Sequence, residues 1–139
     1  MNLLQALALI KEPNYTTQEQ SKHLIGLGLP VDSADCYYIE LDEAVPHLLP
    51  YKTTFSMWQK EAHGLTVGSY FTNPDFGIIP CWTVGQLIKI YLICNPYEND
   101  NDLIFMLTSG VEVPDLCHYI ITHLEYIKPN FDKVNEIIG

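Results

Sequence analysis

"IIPCWTVGQLIKIYL", residues 78–92, decides how this chain is read. A proline, a cysteine and a tryptophan precede a run with helical period. Thr83 is a sound N-cap, and Gln86 three residues on completes a capping-box pattern, in which each side chain satisfies the other residue's free backbone N–H. Val84, Leu87, Ile88 and Tyr91 fall at i, i+3, i+4 and i+7, one face of a helix. Trp82 stands just before the cap, where its ring can lie over the first turn and set the direction of the incoming chain. The stretch is therefore read as the start of a core helix. The alternative is an exposed Trp82 acting as a partner anchor, because tryptophan is favoured at interface hot spots.

Upstream, "TTQEQSKHLIGLGLP" at 16–30 carries Thr16 with Glu19 three residues later, a further capping-box pattern. Leu24, Ile25 and Leu27 form its buried side, Gly28 suits the left-handed position after a helix, and Pro30 forbids continuation. Before it, Leu3, Leu4, Leu7 and Ile10 make a helical stripe that "EPN" at 12–14 ends. "DSADCYYIELDE" at 32–43 changes period: Tyr37, Ile39 and Leu41 alternate with Tyr38, Glu40 and Asp42, as in a half-buried strand. "VPHLLPYK" at 45–52 reads as a proline-punctuated connection. "TTFSMWQ" at 53–59 and "LTVGSYF" at 65–71 read as two more strands of an antiparallel meander, with Gly68 marking a bulge or a close approach, and "TNPDFG" at 72–77 as a turn.

Downstream, "NPYENDND" at 95–102 is loop-like, and "LIFMLTS" at 103–109 reads as a central strand apolar on both faces. Pro114 fits the first turn of a helix and Asp115 complements its dipole. Val113, Leu116, Cys117, Ile120, Leu124 and Ile127 are its buried stripe, Pro129 stops it, and "FDKVNEIIG" adds a short terminal helix.

Composition narrows the functional classes. The 139 residues are 47% hydrophobic and only 17% charged, with nine tyrosines, five phenylalanines and two tryptophans, enough for one core. Seventeen acidic residues face seven lysines and no arginine, a formal charge of −10. Such a surface repels nucleic acid and anionic membranes, so neither is expected as a partner. The excess of acid keeps an apolar domain soluble. Cysteines 36, 81, 94 and 117 form no CxxC pair and are expected as reduced, mostly buried thiols. "MNLLQALALIK" lacks a basic leader and a small-residue cleavage site and is too short to span a bilayer, so the expectation is a cytoplasmic protein.

The candidate chemistry is thin. Cys117 and His118 are adjacent and His118 and His123 five apart, so on a helix neither pair shares a face, and HExxH is absent. A cysteine could meet His23, His47, His63, His118 or His123 in space, but no nucleophile elbow or cysteine-protease signature is present. Carboxylates pair at Asp32/Asp35 and at Glu40/Asp42/Glu43; Asp32 and Ser33 more simply cap a turn after Pro30. "GLG" at 26–28 ends a helix instead of opening one and is no phosphate loop. No catalytic, cofactor-binding or metal-ligating residue is assigned.

Two segments carry a resemblance: "EQSKHLIGLGLPVDSADCYY" at 19–38 and "IIPCWTVGQLIKIY" at 78–91, about a quarter of the chain. Gln20, Ser21, Lys22, Leu24, Leu27, Gly28, Leu29 and Pro30 match a Q-S-K-x-L-x-x-L-G-L-P run; Ala34, Asp35, Tyr37 and Tyr38 match T-A-D-M-Y-Y; Pro80, Trp82 and Leu87 match P-x-W-S-L-x-x-L. Ser33, Cys36 and Thr83 depart from those patterns. In these runs the chain resembles uncharacterised small proteins of Bacteroides-type bacteria and their prophages. The resemblance implies a mobile-element or accessory protein and transfers no catalytic residue.

The expected architecture is a single α+β domain over residues 1–139, with about three main helices on a largely antiparallel sheet of three to five strands. The expected function is non-catalytic, through association with another protein or with itself, and Trp82 and Tyr38 are the candidate partner-binding residues. A small hydrolase or transferase with a Cys/His or carboxylate site is the competing reading.

Overall fold

The pairing of three short strands frames the molecule. In the computed structural model, which describes residues 5–6, 15–39, 42–49, 53–58, 78–95, 100–132 and 134, β1 (Cys36–Ile39) lies between β2 (Asp42–Leu48) and β3 (Ile78–Cys81). Both pairings are antiparallel. The proline-free β1 occupies the middle, whereas Pro46 and Pro80 sit in the flanking strands, where a missing N–H interrupts no central ladder. This corrects the reading of residues 45–52 as a connection: a proline ends a central strand but is tolerated in an outer one. The β1–β2 register shifts between Tyr37 and Ile39. Alternation along β1 sends Cys36 and Tyr38 to the buried face and Tyr37 to the other.

Four α-helices accompany the sheet among the described residues: α1 (Gln18–Gly26), α2 (Val84–Cys94), α3 (Asp100–Thr108) and α4 (Val113–Ile127). A 3-10 turn at Val31–Ser33 leads from α1 to β1. The architecture is α+β, as the change of period in the sequence implies.

α1 is capped one residue later than expected. Thr17 accepts the Gln20 N–H and the Gln20 side chain accepts the Thr17 N–H, so Thr17 and Gln20 form the box and not Thr16 and Glu19. Thr16 is drawn inside instead. At the other end Gly28 adopts φ +100°, the Gly28 N–H reaches the Ile25 carbonyl and the Leu29 N–H reaches that of Leu24. That is a Schellman closure, with buried Leu24 and Leu29 as its apolar pair.

α2 begins at the Thr83 cap and buries Val84, Leu87, Ile88 and Tyr91 together with Ile90. α4 has Pro114 in its first turn and buries Leu116, Cys117, Ile120, Ile121 and Leu124, while Ile127 turns outward. These faces, with Leu24 of α1 and Trp82, make the main core.

Two segments read as strands are helical. Residues 103–108 belong to α3: Leu103 is in the core with Met106 and Leu107 packed against it, a helical spacing, and Phe105 points out. A run apolar on every side does not declare its period, and here Asp102 lies in the first turn, where a carboxylate suits a helix dipole. Residues 55–58 form a single helical turn, with Thr54 Oγ1 accepting the Met57 N–H at 3.2 Å.

Gln5 and Ala6 are helical and Ala6 is buried. The rest of the N-terminal stripe, the 65–71 strand with Gly68, the 72–77 turn, Glu40 and His63 lie outside the described residues, as do the side chains of Asp42 and Glu43.

The reduced-thiol expectation is corrected at one pair. Cys36 and Cys81 are direct partners across β1 and β3, their Cα atoms 5.0 Å apart, and they are joined in a disulfide. That separation lies within disulfide range. Sequence spacing gave no hint, because strand register and not proximity along the chain brings these two together. Cys94 and Cys117 are free thiols.

Candidate functional site

Residues 15–17 cross beside residues 82–83, and the contact between these segments collects most of the buried polar groups. Tyr15 and Thr83 form an isolated antiparallel bridge, and the Thr16 N–H donates to the Trp82 carbonyl at 2.9 Å. Thr16 and Ser21 are fully buried, so their hydroxyls need protein partners. The Ser21 hydroxyl donates to the Thr17 carbonyl at 2.8 Å. With its single proton so used, Ser21 must accept from Thr16, whose hydroxyl lies 2.8 Å away. Thr16 Oγ1 in turn accepts the Trp82 N–H at 3.2 Å. The Tyr38 hydroxyl closes the group by donating to the Thr16 carbonyl at 2.7 Å.

Trp82 connects this group to the 3-10 turn. Its Nε1–H donates to Ser33 Oγ at 3.0 Å, and the Ser33 hydroxyl donates to the Pro30 carbonyl at 2.6 Å. The Gln86 side chain, which the capping-box pattern assigns to the Thr83 N–H, donates instead to the Ser33 carbonyl at 2.8 Å. The Thr83 N–H goes to Asp35 Oδ1 at 2.8 Å, and the Thr83 hydroxyl donates to Asp35 Oδ2 at 2.5 Å. Thr83 Oγ1 still accepts the Gln86 N–H at 3.2 Å, so it is the N-cap of α2.

Asp35 is the chemically distinctive member. Burial pushes its carboxyl above the usual aspartate value; the two Thr83 bonds and the charge of Lys89 only partly offset that. A hydroxyl held by a carboxylate has the atoms of a nucleophile–base pair. Here the hydroxyl oxygen also receives a helix N–H and the carboxylate also receives a backbone N–H, so both groups hold the α2 N-terminus in place.

The remaining candidates fall elsewhere. Trp82 is fully buried and Tyr38 is 8% exposed, so the structure places both inside the chain, with Trp82 just before the Thr83 cap of α2. Asp32 does not join Asp35; its Oδ1 accepts the Ser56 N–H at 2.8 Å. Cys117 is buried and its thiol is pushed up to about 12 by desolvation, while neighbouring His118 is exposed. Desolvation likewise pushes the Cys94 thiol up to about 11. Both shifts disfavour the thiolate, the nucleophilic form. His123 bonds the Tyr119 carbonyl through Nδ1 at 2.9 Å, and His23 lies 3.5 Å from Glu125. Among the described residues no three His, Cys, Asp or Glu side chains are grouped to hold a metal ion, and no helix is long and apolar enough to cross a membrane.

The sequence pattern casts Thr16 as a helix cap and Ser33 as a turn cap and gives Ser21 no structural role; none of these readings anticipates the contacts the three hydroxyls make here, because isolated hydroxyls carry no period. Ser21, Asp35, Tyr38 and Trp82 all belong to the seam between residues 15–17 and 82–83. Outside it, Tyr37 packs on Trp58 and His47 on the second face of the sheet. Phe105 and Tyr126 stand 69% and 88% exposed on α3 and α4. No protein family, curated protein or solved structure matches the chain.

Proposed function

We propose that this chain is a non-catalytic accessory protein, encoded on a mobile element such as a prophage, that acts in the cytoplasm by binding another protein or a second copy of itself. One contrast carries the reading. The polar side chains with catalytic potential hold two segments of the fold together, while Phe105 and Tyr126 present large apolar surfaces to solvent. Sedimentation velocity over a range of concentrations tests the self-association arm: wild type forms a defined oligomer and Phe105→Ser/Tyr126→Ser is monomeric with unchanged circular dichroism. A photo-crosslinking residue at position 105 or 126, activated in the producing cell, tests the partner arm. A monomeric wild type that gives no specific adduct from either position overturns the proposal.

A hydrolase or transferase reading has one observation in its favour, the Thr83 hydroxyl 2.5 Å from Asp35. It requires an electrophilic acyl or phosphonyl probe to modify Thr83 and the modification to disappear in Asp35→Asn. The accessory reading expects no such labelling.

A further inference from the structure

The Cys36–Cys81 disulfide lies apart from the main core. Trp82 and the buried faces of α1, α2 and α4 form the large apolar cluster; Cys36, Tyr38, Ile79 and Cys81 form a separate small one on the sheet, with Tyr15 packed against it. β3 is four residues long, flanks the sheet among the described strands, and includes Pro80, which donates no ladder bond. Its attachment to β1 therefore rests on a short ladder, a four-residue cluster, the disulfide and, just past the Cys36–Cys81 end, the two Thr83–Asp35 bonds. Ile79, Pro80 and Cys81 are buried and β3 also packs against α1, so what favours local opening is its shortness, since short flanking elements open at lower free energy than the whole molecule. Immediately after β3, Trp82 is anchored in the large cluster and bonded to Ser33, which sets a limit to any opening.

We propose that the Cys36–Cys81 pair is a redox-operated clasp on β3. Oxidised, it pins β3 to β1. Reduced, it lets β3 and the Tyr15–Thr16 crossing separate from β1 while the helical core persists. The reductant is a dithiol: one of its thiolates attacks a cysteine sulfur, the other cysteine leaves as a thiolate and takes a proton, and the second thiol of the reductant resolves the mixed disulfide. Two cysteine thiols and one oxidised dithiol result, so electrons and protons balance. Both cysteines are fully shielded, so attack follows a limited fraying of β3 that leaves the bond intact, and reduction then releases the larger separation. In a reducing compartment, which is the cytoplasmic part of the proposed function, a disulfide is characteristically transient or redox-sensing, and a short element that opens locally gives such a bond something to control. The inference rests on that location and not on the choice of partner.

Hydrogen exchange on the oxidised full-length chain, before and after native treatment with dithiothreitol, tests the clasp, with maleimide trapping to identify the thiols. Both Cys36 and Cys81 become alkylated, and amides at 36–39 and 78–81 exchange about tenfold faster or more, while 87–91 and 116–124 remain protected. Reoxidation restores the first pattern. Reduction that proceeds only as fast as α2 and α4 exchange, or that deprotects the whole chain, identifies a permanent staple and overturns the proposal. So does a reduced chain whose exchange is unchanged. The Cys36→Ala/Cys81→Ala chain shows no response to dithiothreitol; a response that persists removes the effect from this pair.

Discussion

At the scale of single residues, Trp82 and Thr83 do different work from adjacent positions. Trp82 fills the core and donates its indole N–H to Ser33, so Trp82→Ala is expected to cost roughly 3–5 kcal/mol. Thr83→Ala removes an N-cap and a hydroxyl bond to a carboxylate, about 2 kcal/mol together. Denaturant melts give both values, and the double variant should fall short of their sum, since both side chains set one helix start. A Trp82→Ala protein as stable as wild type would remove the core role. Asp35 supplies a pH test. Its folded carboxyl is raised above the unfolded value, so folding favours the protonated form. The contribution is fully present below the unfolded value, about 3.9, and is lost as pH rises through the folded one. Relative to Asp35→Asn, wild type should therefore gain stability as pH falls through that window. A carboxyl carbon titration by NMR that places Asp35 at or below the ordinary value contradicts this.

At the scale of elements, the ends of helices are more legible than the interiors of apolar runs. Gly28 was readable because a helix that stops before a proline needs a left-handed residue, and only glycine takes φ +100° without strain. A methyl group there meets nothing closer than ordinary van der Waals contact, the nearest atom being a Phe131 ring carbon at 4.0 Å. Gly28→Ala should thus cost about 1–2 kcal/mol through backbone conformation alone. A thermal melt showing a neutral substitution would mean that the Schellman closure had been replaced. Interiors behave otherwise. α3 and β2 were misread for one reason: short apolar or proline-marked segments adopt whichever period their neighbours can cover. Leu103, Met106 and Leu107 find the helical core, and Pro46 finds the outside of a sheet.

At the scale of the whole molecule, charge is readable from composition alone. Ten net negative charges, with only seven lysines and no arginine, oppose counterion-releasing contact with phosphates, so the chain should show no salt-sensitive binding to single- or double-stranded DNA. Micromolar affinity that falls steeply with added salt, in a fluorescence anisotropy titration, would contradict it. The sequence by itself determined the class of fold, the N-cap of α2, the closure of α1 and the buried stripe of α4, because each depends on neighbours within a few positions. Only the tertiary structure decided that Thr16 turns inward to meet Trp82, that Asp35 holds Thr83, and that Cys36 faces Cys81. Those contacts join residues 45 positions apart for the disulfide, 48 for Asp35 and Thr83, and 66 for Thr16 and Trp82. No local period encodes such pairings; they arise when the strand register and the docking of α1 and α2 on α4 place buried polar and sulfur atoms where each must find a partner.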